Sequence, residues 1–224
     1  MIKSKFVYDA DDQIQIEVMP EDLKVSETRI LRNDREKERR YALLKEPHVA
    51  PLTAFVAMLR EEGLGYVPDF DPLDGGINAR TLFLMEKPGP KTDPSRGGSG
   101  FISRDNDDPT AAAIFTFMRD ARIDRKDTVL WNVIPWWNET IKIEGDEWKR
   151  GLRHVALLLE KLSNLEAVVL VGKKAGRAAP LFTSCGIPVW HSAHPSARVK
   201  AAYPAQYFAI QGVWAEAVHS ANKD

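Results

Sequence analysis

Residues 81–89 read TLFLMEKPG, a short apolar run that ends in a charged Pro-Gly loop. Similar apolar runs occur at 128–134 (TVLWNVI), 167–171 (AVVLV) and 187–190 (IPVW). Continuous apolar runs of this length are typical of strands that are buried on both faces of a parallel sheet. The segments between them have helical signals, so strand and helix alternate along the chain. We therefore predict an α/β fold, a three-layer sandwich in which helices flank a central, mostly parallel four-stranded sheet.

Helix signals fill the intervals between these strands. Asp108 followed by Pro109 is typical of an N-cap and first helical position, and it predicts a helix that ends near residue 120. A second helix is expected over 144–162, where apolar residues recur on one face. The remaining helices are expected over 174–183 and 203–220.

The first 78 residues have a different pattern, which predicts an N-terminal extension that packs on an α/β domain at 79–224. Alternation over 13–18 indicates an edge strand. Asn33 is a candidate N-cap for the charged run at 32–46 (RNDREKERRYALLKE), which we interpret as a helix with a solvated face. A second helix is expected over 51–62, and the Pro-, Asp- and Gly-rich segment at 65–76 is expected to be a loop.

Composition excludes several classes of protein. The 224 residues are 44% hydrophobic, which is too apolar for a disordered chain. The sequence has no run of about 20 apolar residues, so we expect a soluble, cytoplasmic protein without a membrane span, and we expect a monomer. Cys185 is the only cysteine, which excludes an intramolecular disulfide, a multi-cysteine zinc site and a cysteine-ligated iron–sulfur cluster.

The charge of the chain is unevenly distributed. The chain has 31 Lys and Arg against 32 Asp and Glu, yet no acidic residue lies between Glu166 and Glu216. That interval contains five cations, Lys173, Lys174, Arg177, Arg198 and Lys200. A segment of one sign suits a surface that follows phosphates. Charge alone leaves the alternative open that the asymmetry is accidental.

Polar motifs follow all four predicted strands. In parallel sheets, ligands bind beyond the carboxyl ends of the strands. Glu86–Lys87–Pro88–Gly89 follows the first strand, and Asn132 interrupts the second. Gly172–Lys173 follows the third strand, and His194–Pro195–Ser196 comes after the fourth. The sequence therefore predicts a ligand site at this edge of the sheet.

This combination of motifs resembles the uracil-DNA glycosylase superfamily over roughly residues 80–218. Glu86–Lys87–Pro88–Gly89 is similar to the first family motif, and Phe101 falls where the family keeps an aromatic that stacks on the extruded base. Asn132 matches the Asn that reads the uracil edge, and His194–Pro195–Ser196 matches the His-Pro-Ser motif. The resemblance implies a monofunctional glycosylase that flips uracil out of DNA and hydrolyses its N-glycosidic bond, leaving an abasic site. It implies no metal and no cofactor.

The expected site combines the resemblance with the chemistry of the residues. Glu86 and His194 are the expected catalytic residues, with Glu86 positioning water and His194 stabilising the developing uracil anion. Pro88, Gly89, Phe101 and Asn132 are expected to bind uracil. The expected contacts to uracil-containing DNA are Lys173, Ser196, Arg198 and Lys200.

Two departures from the family pattern indicate a divergent branch. Lys87 stands where the most familiar branch has an Asp, and the cysteines of the iron–sulfur branch are absent. If Glu86 does not position the water, Asp105, Asp107 and Asp108 are the reserve carboxylates, although Asp108 is better explained as the helix N-cap. Two alternatives stay open: a glycosylase that removes hypoxanthine or xanthine, and a nucleic-acid-binding domain without activity.

Overall fold

A computed structural model of the chain describes residues 5–8, 14–17 and 28–221. Its strands are β1 (Lys5–Tyr8), β2 (Ile14–Glu17), β3 (Asp69–Phe70), β4 (Thr81–Met85), β5 (Phe101–Ile102), β6 (Thr128–Asn132), β7 (Ala167–Val171) and β8 (Val189–Ser192). Its α-helices are α1 (Asp34–Ala42), α2 (Ala50–Glu61), α3 (Pro109–Asp120), α4 (Gly145–Leu159), α5 (Ala179–Ser184), α6 (Ala197–Ala202) and α7 (Pro204–Ala221). Within the described residues, no helix is both long enough and apolar enough to cross a membrane.

The predicted α/β fold is confirmed. Four parallel strands form the sheet in the order β6-β4-β7-β8. Helices cover both faces, as two ring contacts show. Phe83 on β4 packs against Trp214 of α7 at 5.1 Å, and Trp131 on β6 packs against Phe55 of α2 at 6.5 Å. Trp131 is paired with Leu84, so both side chains point to the same face of the sheet. Phe83 is the neighbour of Leu84 on β4 and therefore points to the other face. Helices α7 and α2 accordingly lie on opposite sides of the sheet.

The strand bounds agree with the sequence most closely where apolar residues are continuous. β4 and β7 match the predicted runs, while β8 begins two residues later than predicted. Proline cannot donate a ladder hydrogen bond. Pro188 instead accepts one through its carbonyl, from the backbone N–H of Val168. The segment predicted as one helix over 174–183 is a 3-10 turn followed by the short α5, and α6 was not predicted.

Residues 28–78 contribute to the same hydrophobic core as the sheet. The inward face of α2 supplies Leu52, Phe55, Val56 and Leu59 to that core. Part of the segment predicted as a loop forms β3, which pairs in parallel with β5. The predicted edge strand corresponds to β2, which pairs with β1 in a two-stranded antiparallel sheet. Residues 13 and 18 of that predicted strand lie outside the described residues.

A cluster of two arginines and two aspartates is buried beside the core. Arg40 on α1 and Arg125 before β6 each reach both Asp71 and Asp105, with nitrogen–oxygen distances of 2.5–2.7 Å. Arg40 is fully buried, so the prediction that its charged helix is solvated is wrong at this residue. The reason is that its guanidinium has two carboxylate partners distant in sequence. These contacts hold the pKa of the Asp71 carboxyl below its usual range despite the opposing effect of burial.

We expect Arg40→Ala to lower the free energy of unfolding by about 3–5 kcal/mol, because it leaves two buried carboxylates with one arginine fewer. Arg39→Ala is the matched control. Arg39, the residue before Arg40, is 55% exposed and pairs with Glu36 alone among the residues that the structure describes, so its loss should cost less than about 1 kcal/mol. Urea unfolding of both variants measures the difference. Equal, small effects would show that the buried cluster does not stabilise the fold.

Candidate functional site

A cavity of about 470 Å³ lies at the carboxyl edge of the sheet. The chain places β6 on one side of β4 and β7 on the other, which creates a topological switch point beside β4. Crevices at such points are the usual ligand sites of open α/β sheets. Of the predicted site residues, five line this cavity: Glu86, Pro88, Gly89, Asn132 and His194.

Asn132 supplies a buried amide to the cavity. It is the last residue of β6 and lies opposite Met85 of β4. The residue is 2% exposed, and its side chain makes no hydrogen bond to any residue that the structure describes. An amide carries one acceptor and two donors, and burying them unpaired is costly. The geometry therefore leaves the hydrogen-bonding groups of Asn132 available to a ligand in the cavity.

His194 lines the cavity from the segment that follows β8. Gly172, just after β7, makes room for it: a Cβ at Gly172 would lie 3.2 Å from the Cβ of His194, and the φ angle of Gly172 is +92°. Burial lowers the pKa of the His194 imidazole, while the nearby Glu86 and Asp108 carboxylates act in the opposite direction. Because the net pKa lies below the ordinary value of 6.5, the ring is mainly neutral at pH 7.

The Glu86 carboxylate is paired with a lysine that the sequence did not single out for the site. Lys174 Nζ lies 2.5 Å from Glu86 Oε1, and the Lys174 side chain is 55% exposed. Lys174 also lines the cavity, whereas the predicted DNA contact Lys173 is exposed and does not. The site therefore contains a carboxylate and an ammonium side by side at its solvent-facing side.

Lys87 lines the cavity, and its ammonium is paired with residues that do not. Its Nζ donates to Glu147 Oε1 at 2.7 Å and to Asn138 Oδ1 at 2.6 Å, and its side chain is buried. Glu147 also accepts from the indole N–H of Trp136. Lys87 therefore has a structural partner on α4, which occupies its ammonium group.

The Pro-Gly loop leaves open space at the cavity floor. Pro88 and Gly89 follow Lys87 directly, and both line the cavity. A Cβ added to Gly89 would meet no atom within 4 Å. The backbone of this loop is therefore accessible to a ligand without intervening side chains.

Phe101 lies outside the cavity, unlike the other predicted uracil contacts. Its ring is fully buried and packs on Tyr41 of α1, with 4.6 Å between ring centroids. Because neighbouring strand residues point in opposite directions, the next residue, Ile102, faces the cavity instead. The prediction that Phe101 lines the site is therefore wrong, and Ile102 contributes an apolar side chain to the cavity instead.

The other predicted DNA contacts lie near the cavity but do not line it. The Ser196 hydroxyl caps α6 by accepting from the backbone N–H of Val199 at 3.3 Å. Arg198 and Lys200 are exposed on α6. These residues follow the cavity residue His194 by two to six positions in the sequence.

The wall contributed by α3 and the loop before it was predicted only at Asp108, one of the reserve carboxylates. Asp108 caps α3 through the backbone N–H groups of Thr110 and Ala111 and also lines the cavity. Ser103 and Asn106 line it too, and Ser103 donates to Asp71 in the buried cluster. Of the reserve carboxylates, Asp105 belongs to that cluster and Asp107 lies 3.8 Å from Arg29. Neither lines the cavity.

Ile141 lies at the mouth of the cavity and is 76% exposed. Nothing in the sequence distinguishes it from other apolar residues in loops.

Among the described residues, no group of three His, Cys, Asp or Glu side chains is arranged to hold a metal ion. Neither a scan against protein-family models nor a search of curated proteins finds a match to the chain.

We expect Glu86→Gln to lower the pKa of His194 further, because it removes a carboxylate that favours the imidazolium and releases the Lys174 ammonium. Glu61→Gln, an exposed carboxylate on α2, is the control and should leave that pKa unchanged. Carbon-detected NMR of the His194 ring against pH measures both. Because the pKa of His194 is lower in the folded protein than in the unfolded chain, the free energy of unfolding falls as the pH drops through the unfolded value toward the folded one. An unshifted or raised His194 pKa in the Glu86→Gln variant would show that the Glu86 carboxylate does not favour the imidazolium.

Proposed function

We propose that the protein is a DNA glycosylase that hydrolyses the N-glycosidic bond of uracil. The observation that carries this proposal is the buried Asn132 amide, which has no hydrogen-bond partner among the described residues and shares a cavity with His194. A volume of about 470 Å³ falls in the usual range for small-ligand sites, so one extruded nucleobase is a reasonable occupant.

Asn132 provides the means of base selection. Its carbonyl oxygen can accept from N3–H of uracil while its amide nitrogen donates to O4. Cytosine has no N3–H and carries an amino group in place of O4, so it cannot pair with the amide in the orientation that reads uracil. Sites built on such hydrogen bonds discriminate strongly, because a mismatched ligand leaves buried polar groups unsatisfied.

Bond cleavage requires stabilisation of two opposite charges. As the C1′–N1 bond breaks, its electron pair moves to uracil and the sugar becomes cationic. A neutral His194 imidazole can donate a hydrogen bond to the developing anion at O2, and preorganised donors of this kind are usually the largest catalytic contribution. Water then adds its oxygen to C1′, and one water proton leaves through a carboxylate and finally reaches uracil.

Glu86 is the carboxylate in the cavity that best suits the water. Its side chain is half-buried, and it follows β4 directly, whereas Asp108 is occupied as the α3 cap. In the free protein, Lys174 pairs with the Glu86 carboxylate. Because Lys174 is 55% exposed, its ammonium can turn to a DNA phosphate, and this movement frees Glu86 for the water.

We expect His194→Ala to lower single-turnover excision of uracil by about two to three orders of magnitude, as for loss of one oxyanion-type donor. His191→Ala is the matched control, since His191 is exposed on β8 and does not line the cavity, and it should leave the rate unchanged. Alkaline cleavage of a labelled uracil oligonucleotide in EDTA reports the abasic product. Equal rates for the two variants would remove His194 from the reaction.

We expect Asn132→Asp to lower uracil excision by about 10²–10³-fold, because the carboxylate loses the donor to O4 and places a negative charge near the forming anion. The variant should also gain measurable release of cytosine, whose amino group donates to a carboxylate oxygen. Asn164→Asp, an exposed position after α4, is the control. The same cleavage assay on uracil and cytosine substrates measures both effects, and unchanged uracil kinetics would place the base elsewhere.

A further inference from the structure

Two aromatic rings are exposed where α6 joins α7. Tyr203 is 58% exposed and Phe208 is 65% exposed. The core side of α7 is formed by Ile210, Trp214 and Val218, and Phe208 precedes Ile210 by two positions, or about 200° around the helix. Phe208 therefore points away from the core for a geometric reason. Large apolar side chains grouped on a surface commonly mark a contact site.

The rings lie among cations. Arg198 and Lys200 are exposed on α6, and neither has a carboxylate partner among the described residues. Lys200 Nζ lies 5.6 Å from the centre of the Tyr207 ring, and that ring packs edge-on against Phe208 at 5.6 Å. No acidic residue lies between 166 and 216. The chemistry of this surface is therefore aromatic and cationic, which suits a polyanion that carries flat rings.

The surface is close to the cavity along the chain. His194 is three residues before α6, and α6 is six residues long. At about 1.5 Å per residue the helix spans about 9 Å, which is less than three base steps of about 3.4 Å. The three residues before the helix and the step to Tyr203 add at most about 14 Å, so His194 and Tyr203 are separated by at most about 22 Å, or about seven base steps. A strand that delivers a base to the cavity can therefore reach Tyr203 within about seven nucleotides.

We propose that Arg198, Lys200, Tyr203 and Phe208 form a binding surface for single-stranded DNA, on which unpaired bases stack. In a duplex the base faces are covered by their neighbours, so exposed rings could not stack on them, whereas single strands offer every base face. The inference rests on the proposed function in naming the substrate as a single strand. Its test uses DNA without uracil and does not depend on excision.

The test is fluorescence anisotropy of the full chain with a labelled oligothymidylate of about 12 nucleotides, alone and annealed to its complement. The single strand should bind more tightly than the duplex. Tyr203→Ala and Phe208→Ala should each weaken single-strand binding by about 5- to 100-fold, the loss of one stacked base. Tyr203→Leu and Phe208→Leu should also weaken it, since they keep apolar area but lose the flat face. Met58→Ala, 40% exposed on α2, is the control and should change nothing.

The cations give a second readout. Arg198→Gln and Lys200→Gln should each reduce the slope of log affinity against log salt by about 0.7, the value for one phosphate contact on a single strand. Lys161→Gln, exposed just after α4, should not change the slope. All variants should keep the far-UV circular dichroism of the parent because the side chains are exposed.

Three results would overturn the inference. Unchanged affinity in both Ala variants would show that the rings do not contact the strand. Equal affinity for duplex and single strand would show that this surface contacts the phosphate backbone of DNA and not its unpaired bases. Self-association of the parent that Phe208→Ala abolishes, measured by light scattering, would show that a second copy covers the rings. Absence of excision together with the expected binding pattern would reject the glycosylase proposal and leave this surface intact.

Discussion

The buried cluster of Arg40, Arg125, Asp71 and Asp105 is the interaction on which the cavity depends. It joins α1, the segment after β3, the loop after β5 and the turn before β6, which are far apart in sequence. A buried arginine that loses its partners is costly, so these four segments are held together as a set. Ile102 ends β5 and the loop after it carries Ser103 and Asn106, so the position of this segment fixes one wall of the cavity. The cluster therefore connects the N-terminal helix to the geometry of the site.

The site itself carries unpaired hydrogen-bonding capacity that the surrounding fold must stabilise. The Asn132 amide is buried at a strand end, and the His194 ring is kept neutral by burial. The amide atoms of Asn132 open onto the cavity, so a ligand with a matching edge can pair with both of them in place of water. Preorganisation of this kind favours one hydrogen-bonding pattern over others before the ligand arrives. The proposed base selection follows from that property.

Much of the sheet could be predicted, because short continuous apolar runs such as AVVLV are typical of strands buried on both faces of a parallel sheet. The strand ends then placed Glu86, Asn132 and His194 at one edge, where the structure brings them into one cavity. Phe101 could not be placed correctly, since a change of one position in strand register decides whether Phe101 or Ile102 faces the cavity. The partners of Arg40 and Glu86 lie 31 to 88 residues away, and local patterns carry no information about such pairings.

The most direct test of the account is a comparison of bases at one position in a labelled oligonucleotide, as single strand and as duplex, with the parent protein in EDTA. The readouts are free base, detected by chromatography, and the alkali-labile abasic site. The account predicts release of uracil and no release of cytosine, whose edge lacks the N3–H and the O4 with which Asn132 pairs. Release of cytosine as fast as uracil would contradict the role given to Asn132. An absence of release for every base at every protein concentration would mean that the cavity binds nucleic acid without cleaving it.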